Sequence, residues 1–400
     1  MSSFRRKEAT ARTSTGALAV PVRRQLSGTK PFLNGQTLVS SGLSELDALL
    51  GGGLTLGTVS LLETPHDAGA ASVALVDDLH RYFVAEGVAA GQCTFVASED
   101  PAGFVEHQLP LELSLAQKQV KQQLASLQVP SKSNSADANA DVNATPDAAA
   151  NLKIAWQYEK YLGPGQTQQQ TRFCHSFDLS RSMHQDMLKA NAPVTFALEQ
   201  CAGSDGPYKL LLDAIRAVVA ERQATQVVRV CIRDLGSSLW FSAATPRQAH
   251  ADLLRFLRQL RAIVSGTPVV CTISGPFYML PSTVCNEMRH LCDYVMELKS
   301  FTGENDMLPA ELSEFHGLFH FRKLARVHSL ACHSTDAVKF GIKRERRKLK
   351  VEKLHLPPEG SRSTSAAGAD QSGKKSSAKT AQSSKVGCGN GAGGFDPLAF

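Results

Sequence analysis

Residues 40–80 read SSGLSELDALLGGGLTLGTVSLLETPHDAGAASVALVDDLH. Within them TVSLLE, 58–63, is an apolar run of strand length. Val73, Val76, Leu79 and Phe83 then recur at spacings of three, three and four, the period of an amphipathic helix. A strand that turns into a helix is where a phosphate-binding loop belongs. Such a loop, GxxxxGK[ST], uses glycine amides to wrap phosphates, a lysine to neutralise them and a hydroxyl to hold magnesium. With Gly69 as the second glycine, Thr64 stands at the first, Ala70 at the lysine and Ala71 at the hydroxyl. A shift of one restores Ser72 as the hydroxyl but places Pro65 and Ala70 at the glycines and Ala71 at the lysine. Both registers lose the cation. Pro65 also removes an amide donor, while Glu63 and Asp67 bring negative charge to the place of a triphosphate. Autonomous ATP hydrolysis is therefore not expected here.

Outward from this unit, strand-like and helical segments alternate. Strands are expected at 92–98 (QCTFVAS), 227–237 (VVRVCIRDLGS), 267–274 (TPVVCTIS) and 292–300 (CDYVMELKS), and helices at 209–222 and 246–266. Continuous apolar strands alternating with helices predict an α/β fold, a mainly parallel twisted sheet with helices on both faces. GLFHFRKLARVHSL and FGIKRERRKLKVEKLHL show β patterning with no helix between them, so antiparallel strands should extend one edge. Gly51–Gly53 suit positive φ and close backbone approach to a strand.

The 400 residues are 42% hydrophobic and 20% charged, enough for a sizeable core. Nine cysteines occur without a CxxC pair, which argues against a disulfide framework or a zinc site and for a reducing compartment. No run of about 18 apolar residues suggests a membrane span. The net charge of +6 is unevenly placed: residues 1–30 carry +6, 339–353 +6 and 359–400 +2, so the rest carries −8. Three stretches lack apolar periodicity, namely a basic tail at 1–34, an Ala/Asn/Asp/Ser-rich tract at 116–151 and a Ser/Gly/Lys-rich tail at 359–400. They leave one α/β domain over 35–358, with 116–151 as an insertion.

Candidate functional residues fall in two groups. Asp234 follows a hydrophobic strand, as does the magnesium-holding acid of nucleotide hydrolases, and Glu99 lies just beyond another, where a water-activating carboxylate would sit. Either could equally cap a helix or pair with Arg233. Lys343, Arg344, Arg346, Arg347, Lys348 and Lys350 form a dense basic segment that suits a phosphate backbone, an acidic partner surface, or simply a solvated strand. RFCHSFDLSRSM at 172–183 is a weaker candidate: Arg172, His175 and Arg181 are cationic, while Phe173 and Phe177 can stack on bases or anchor a loop. Trp156, Tyr158 and Trp240 read as anchors of loops to the sheet. His316, His320 and His328 offer no third ligand at a workable spacing, so no metal site is expected.

SSGLSELDALLGGGLTLGTVSLLE resembles the start of the RecA-type ATPase core. Taken with VASEDP, KIAWQYEKY, RDLGSSLW, HGLFHFRKL, KRERRKLKVEKLHLPP and the terminal GCGNGAGG, the chain more closely resembles the fourth-subunit family of the Elongator complex. That resemblance implies a RecA-like fold without a full phosphate loop. It implies a hetero-hexameric ring with the paralogous fifth and sixth subunits, attachment to Elongator's catalytic lobe, and binding of tRNA in support of carboxymethyl-type wobble-uridine modification. It further implies a non-catalytic role, no cofactor of the chain's own, ATP at ring interfaces through neighbouring subunits, and a cytoplasmic and nuclear location. The competing reading is an unorthodox RecA-like NTPase or DNA-strand-handling protein that uses Glu99 and Asp234.

Overall fold

A small antiparallel sheet leads into the fold, formed by β1 (Thr29–Pro31), β2 (Thr37–Val39) and β3 (Leu54–Thr55). Helix α1 (Ser44–Leu49) lies between the last two. The computed structural model describes residues 26–65, 70–113, 172–201, 206–237, 240, 245–303, 308–309, 312–328, 335, 337 and 339–354. The insertion at 116–151, the tail at 359–400, and Trp156 and Tyr158 lie outside the described residues, as does most of the basic tail at 1–34. β1 nevertheless begins at Thr29, inside the stretch expected to lack structure. Lys30 and Pro31 in it pair with Leu38 and Thr37 of β2.

The α/β body follows: β4 (Thr58–Glu63), α2 (Ala70–Ala89) and β5 (Cys93–Ser98). A short turn, α3 (Pro101–Gly103), continues into a π-helical turn, Phe104–Gln108. The strands β6 (Pro110–Glu112) and β7 (Phe177–Ser182) pair as a separate ribbon. Next come α4 (Gln185–Asn191), β8 (Val194–Ala197), α5 (Pro207–Arg222), β9 (Val228–Ile232), α6 (Pro246–Val264), β10 (Val269–Ser274), α7 (Ser282–Leu291) and β11 (Tyr294–Ser300). The described part closes with β12 (Gly317–Lys323), β13 (Lys339–Arg344) and β14 (Leu349–Lys353).

The main sheet has the order β14-β13-β12-β11-β4-β10-β9-β5-β8. From β11 to β8 the neighbours are parallel, and β12, β13 and β14 are antiparallel along one edge. This is the α/β arrangement the alternation of segments indicates. β4 and β10 are buried at every position because helices cover both faces, so neither alternates buried with exposed residues. One face carries α2, whose Leu75, Val76, Leu79, Tyr82 and Phe83 join Phe319, Phe321 and Phe340 of the edge strands. On the other face α5, α6 and α7 cover Val59, Leu61, Val230 and Ile273.

Two glycines fix how α1 sits on this body. Gly42 has φ +90, and a Cβ there would lie 2.3 Å from the carbonyl oxygen of Tyr82 on α2. Gly53 has φ +132, with a Cβ position 2.5 Å from the carbonyl of Val39. Only glycine allows both the positive φ and the close backbone approach. Beside them Asp47, buried, accepts from Ser40 Oγ at 2.5 Å and from the Ser41 N–H and Oγ at 2.7 Å each. The SSGLSELD segment thus holds its own turn through a buried carboxylate.

Candidate functional site

β4 ends at Glu63, Thr64 and Pro65 are half-buried, and α2 opens with Ala70 and Ala71; His66–Gly69 lie outside the described residues. Ser72, the hydroxyl that the shifted register would give to magnesium, is fully buried. Its Oγ accepts the backbone N–H of Ser300 at 2.9 Å, so it ties the first turn of α2 to the end of β11. Among the described residues at the start of the helix, the hydroxyl is engaged and its neighbours Ala70 and Ala71 carry neither charge nor metal-ligating atom.

Three carboxylates gather around the C-terminal ends of β5 and β9. Glu99 is exposed in the turn after β5. Asp234 follows β9 in the left-handed region, φ 55, where an aspartate is better tolerated than most side chains. Burial raises the Asp234 carboxyl above its ordinary range; Arg233 opposes that shift, and Asp77 and Glu99 add to it. The Arg233 guanidinium pairs with Asp77 of α2, at 2.9 Å, and lies over the Phe104 ring at 4.4 Å. Pairing of Arg233 was open to Asp234 on sequence grounds; the hydrogen bond goes instead to Asp77, a residue the sequence reading passed over. Among the described residues, no group of three His, Cys, Asp or Glu side chains could hold a metal ion.

Glu63 is 2% exposed and points to the face opposite α2. Its two oxygens each receive the Arg289 Nε–H at 3.0 Å, and Arg322 Nε lies 3.1 Å from Oε1. Arg322 also bonds Glu297, which neighbours Glu63 across the β11–β4 pair. Burial raises the Glu63 carboxyl, and the guanidiniums of Arg289 and Arg322 pull it back. Negative charge at this strand end is therefore met by positive charge from α7 and β12. Arg289, 226 residues away along the chain, and Arg322, farther still, leave no local signal at Glu63 in the sequence.

The basic segment forms the β13–β14 hairpin, with Glu345–Lys348 as its turn. Most of its cations are paired. Lys343 lies 3.1 Å from both Glu314 and Glu352, and these bonds raise its ammonium above the ordinary lysine range. Arg344 reaches the buried Asp78 of α2 at 2.5 Å, Arg347 lies 3.7 Å from Asp178, and Lys350 bonds Glu345. Arg346 and Lys348 are exposed and have no acidic partner among the described residues. A run of six cations thus presents two unpaired charges at one tip.

The remaining candidates are mostly structural. His175 donates its backbone N–H to Glu86 and sits with Nδ1 2.9 Å from the same buried carboxylate. Phe177 is core, edge-on to Tyr82, and Lys30 lies over Phe173. Arg172 is half-buried and Arg181 exposed. Trp240 is 1% exposed and stacks on Tyr208 with centroids 5.5 Å apart, an anchor as its composition suggests. His320 faces Glu297 at 3.6 Å, His316 accepts the Arg344 N–H, and His328 has φ 52.

Comparison with known proteins places this geometry. The family model described as PAXNEB protein matches residues 22–386. The chain belongs to the PAXNEB family. Among PAXNEB relatives, Elongator complex protein 4 of Homo sapiens is 30% identical, over 94% of this chain and 89% of its own length. The protein of the same name in Xenopus laevis is 32% identical, over 94% and 92%, and that of Drosophila melanogaster 26%, over 84% and 92%. A solved structure, a KaiC-like protein from Pyrococcus horikoshii, covers 78% of this PAXNEB chain and 98% of its own with 15% identity and a TM-score of 0.37. The fold assignment rests on the sheet order itself. Among the described residues no helix is long and apolar enough to cross a membrane.

Proposed function

We propose that this chain is a non-catalytic subunit of the Elongator complex. With the paralogous fifth and sixth subunits it forms a hetero-hexameric RecA-like ring that binds tRNA, docks on the catalytic lobe and supports carboxymethyl-type wobble-uridine modification in the cytoplasm and nucleus. The domain is the expected 35–358, extended at its front to take in β1 from Thr29. The similarity to relatives named Elongator complex protein 4 supports the assembly. The observation that carries the non-catalytic reading is the Ser72 hydroxyl bonded to Ser300, beside Ala70 and Ala71, where a hydrolase needs a lysine and a free magnesium ligand. The unpaired Arg346 and Lys348 at the hairpin tip are the charges best disposed to meet an RNA phosphate, a role that Lys343, Arg344, Arg347 and Lys350 share only by leaving their carboxylates.

Asp77, Glu99 and Asp234 favour a second reading, an unorthodox NTPase whose acids work at a nucleotide. Two measurements separate the readings. Purified alone, the chain is expected to show no magnesium-dependent ATP turnover and, when co-expressed, to co-purify with two paralogues. Steady turnover by the lone chain, abolished by Asp234→Asn, would establish the second reading instead.

A further inference from the structure

Beside α7, at the N-terminal end of β11, lies a cleft of about 880 Å³. Arg261, Arg289, His290, Arg322, Lys323 and Arg326 line it. They come from α6, α7 and β12 with its following turn, so folding brings together like charges that repel unless something offsets them.

The acids near them are already engaged. Asp293 accepts from Arg261 at 2.9 Å and from the Val59 N–H at 3.0 Å. Glu63 is held by Arg289 and Arg322, and Glu297 by Arg322. Lys323 spends its ammonium on the carbonyls of Arg289, His290 and Cys292 at the end of α7, at 3.2, 3.0 and 2.5 Å. Five cations face three carboxylates, an excess of two positive charges before His290 is counted. Arg326 and His290, both exposed, have no acidic partner among the described residues. Half-buried Leu324 adds apolar surface to the wall, in front of the buried Val295 and Phe321.

We propose that this cleft binds a small organic phosphate. Clamped guanidiniums set the positive potential, Arg326 and His290 supply free donors for phosphate oxygens, and the apolar wall takes the organic part. The chemistry fits on three counts. Guanidinium forks match phosphate geometry. The volume is that of a site for a nucleotide-sized ligand, far more than a lone phosphate fills. Arg261, Arg289 and Arg322 are held in advance by Asp293, Glu63 and Glu297, so only Arg326 and His290 need ordering on binding. Arg289 and Arg322 also join the cleft to Glu63, the last residue of β4, so an incoming anion competes with that carboxylate for the same two guanidiniums.

The test is calorimetric titration of the full-length chain with AMP and with pyrophosphate. Saturable, salt-sensitive binding of AMP is expected; binding of pyrophosphate alone overturns the proposal. The double variant Arg326→Gln, His290→Gln should weaken it about tenfold, equivalent to about 1.4 kcal/mol, while Arg346→Gln, Lys348→Gln at the distant hairpin leaves it unchanged. Binding of neither probe overturns the proposal, as does an equal loss in the hairpin variant, which would mean diffuse surface charge. On the unsubstituted chain, the binding probe should slow carbethoxylation of His290, read by mass spectrometry; unchanged modification at a saturating concentration also overturns it.

Discussion

Arg289 donates its Nε–H to both oxygens of Glu63, at 3.0 Å each, from a helix on the opposite side of the sheet from α2. A buried carboxylate at the end of β4 is tolerated because guanidiniums from α7 and β12 reach it. Breaking one partner of a buried pair leaves the other uncompensated, which is where such pairs show their energy. Arg289→Ala should therefore destabilise the fold by about 2 kcal/mol, with Arg322 limiting the loss. The sign with pH follows. Glu63 already has a folded pKa above its unfolded value, so its charging opposes folding as pH rises through the folded pKa. Losing Arg289 raises that pKa further, and the deficit should be larger at neutral pH than in mild acid. Urea melts of both proteins across that range check this, and a deficit independent of pH would refute it.

His80 on α2 gives a second pH effect. It is fully buried, with Nδ1 3.2 Å from Cys231 Sγ and 3.3 Å from Thr272 Oγ1, and Nε2 has no hydrogen-bond partner. Burial pushes its imidazolium pKa down to about 3, helped by Arg233. A histidine with a lowered folded pKa stabilises the fold fully above its unfolded value of 6.5, and that contribution is lost as pH falls from 6.5 towards 3. The slope from one proton is about 1.4 kcal/mol per pH unit. His80→Leu should flatten the fall in stability between pH 6 and pH 4.5 by about that slope. Parallel curves for the two proteins would show that His80 protonates in the fold.

The hairpin tip makes a prediction about RNA. In the assembled complex, Arg346→Gln with Lys348→Gln should weaken tRNA binding and reduce the salt slope by about 0.7 to 0.9 for each phosphate that the variant no longer neutralises. Substituting Lys343 and Lys350, each tied to glutamates, should change the slope less. Filter binding over a range of salt distinguishes these outcomes. If the tip variant keeps the full slope, the tip does not touch RNA.

Some of this was legible from residue order alone. TVSLLE is β4 to the residue, and the helix expected from 246 to 266 is α6, Pro246–Val264, because those segments carry their own period and caps. Thr245, for example, caps α6 by accepting the Gln248 N–H. Other elements left weaker traces. The sequence suggests no helix over Ser282–Leu291, and Phe177–Ser182 reads as a loop although it pairs with β6. A short strand in a two-stranded ribbon, like β7, gains its stability from its partner and the core beneath, which a sequence window does not contain.

The residues themselves determined the absence of a phosphate-gripping lysine, the alternation that makes a parallel sheet, and the clustering of basic charge at 343–350, since each is a property of residue type and local spacing. Only tertiary structure decided that Arg233 pairs with Asp77, that Glu63 is clamped by Arg289 and Arg322, and that four of the six cations at 343–350 are paired with acids. The reason is one of range. Backbone pattern is set by neighbours in the chain, whereas the free energy of a charge depends on which distant side chain the fold brings within a few ångströms and how much water it removes.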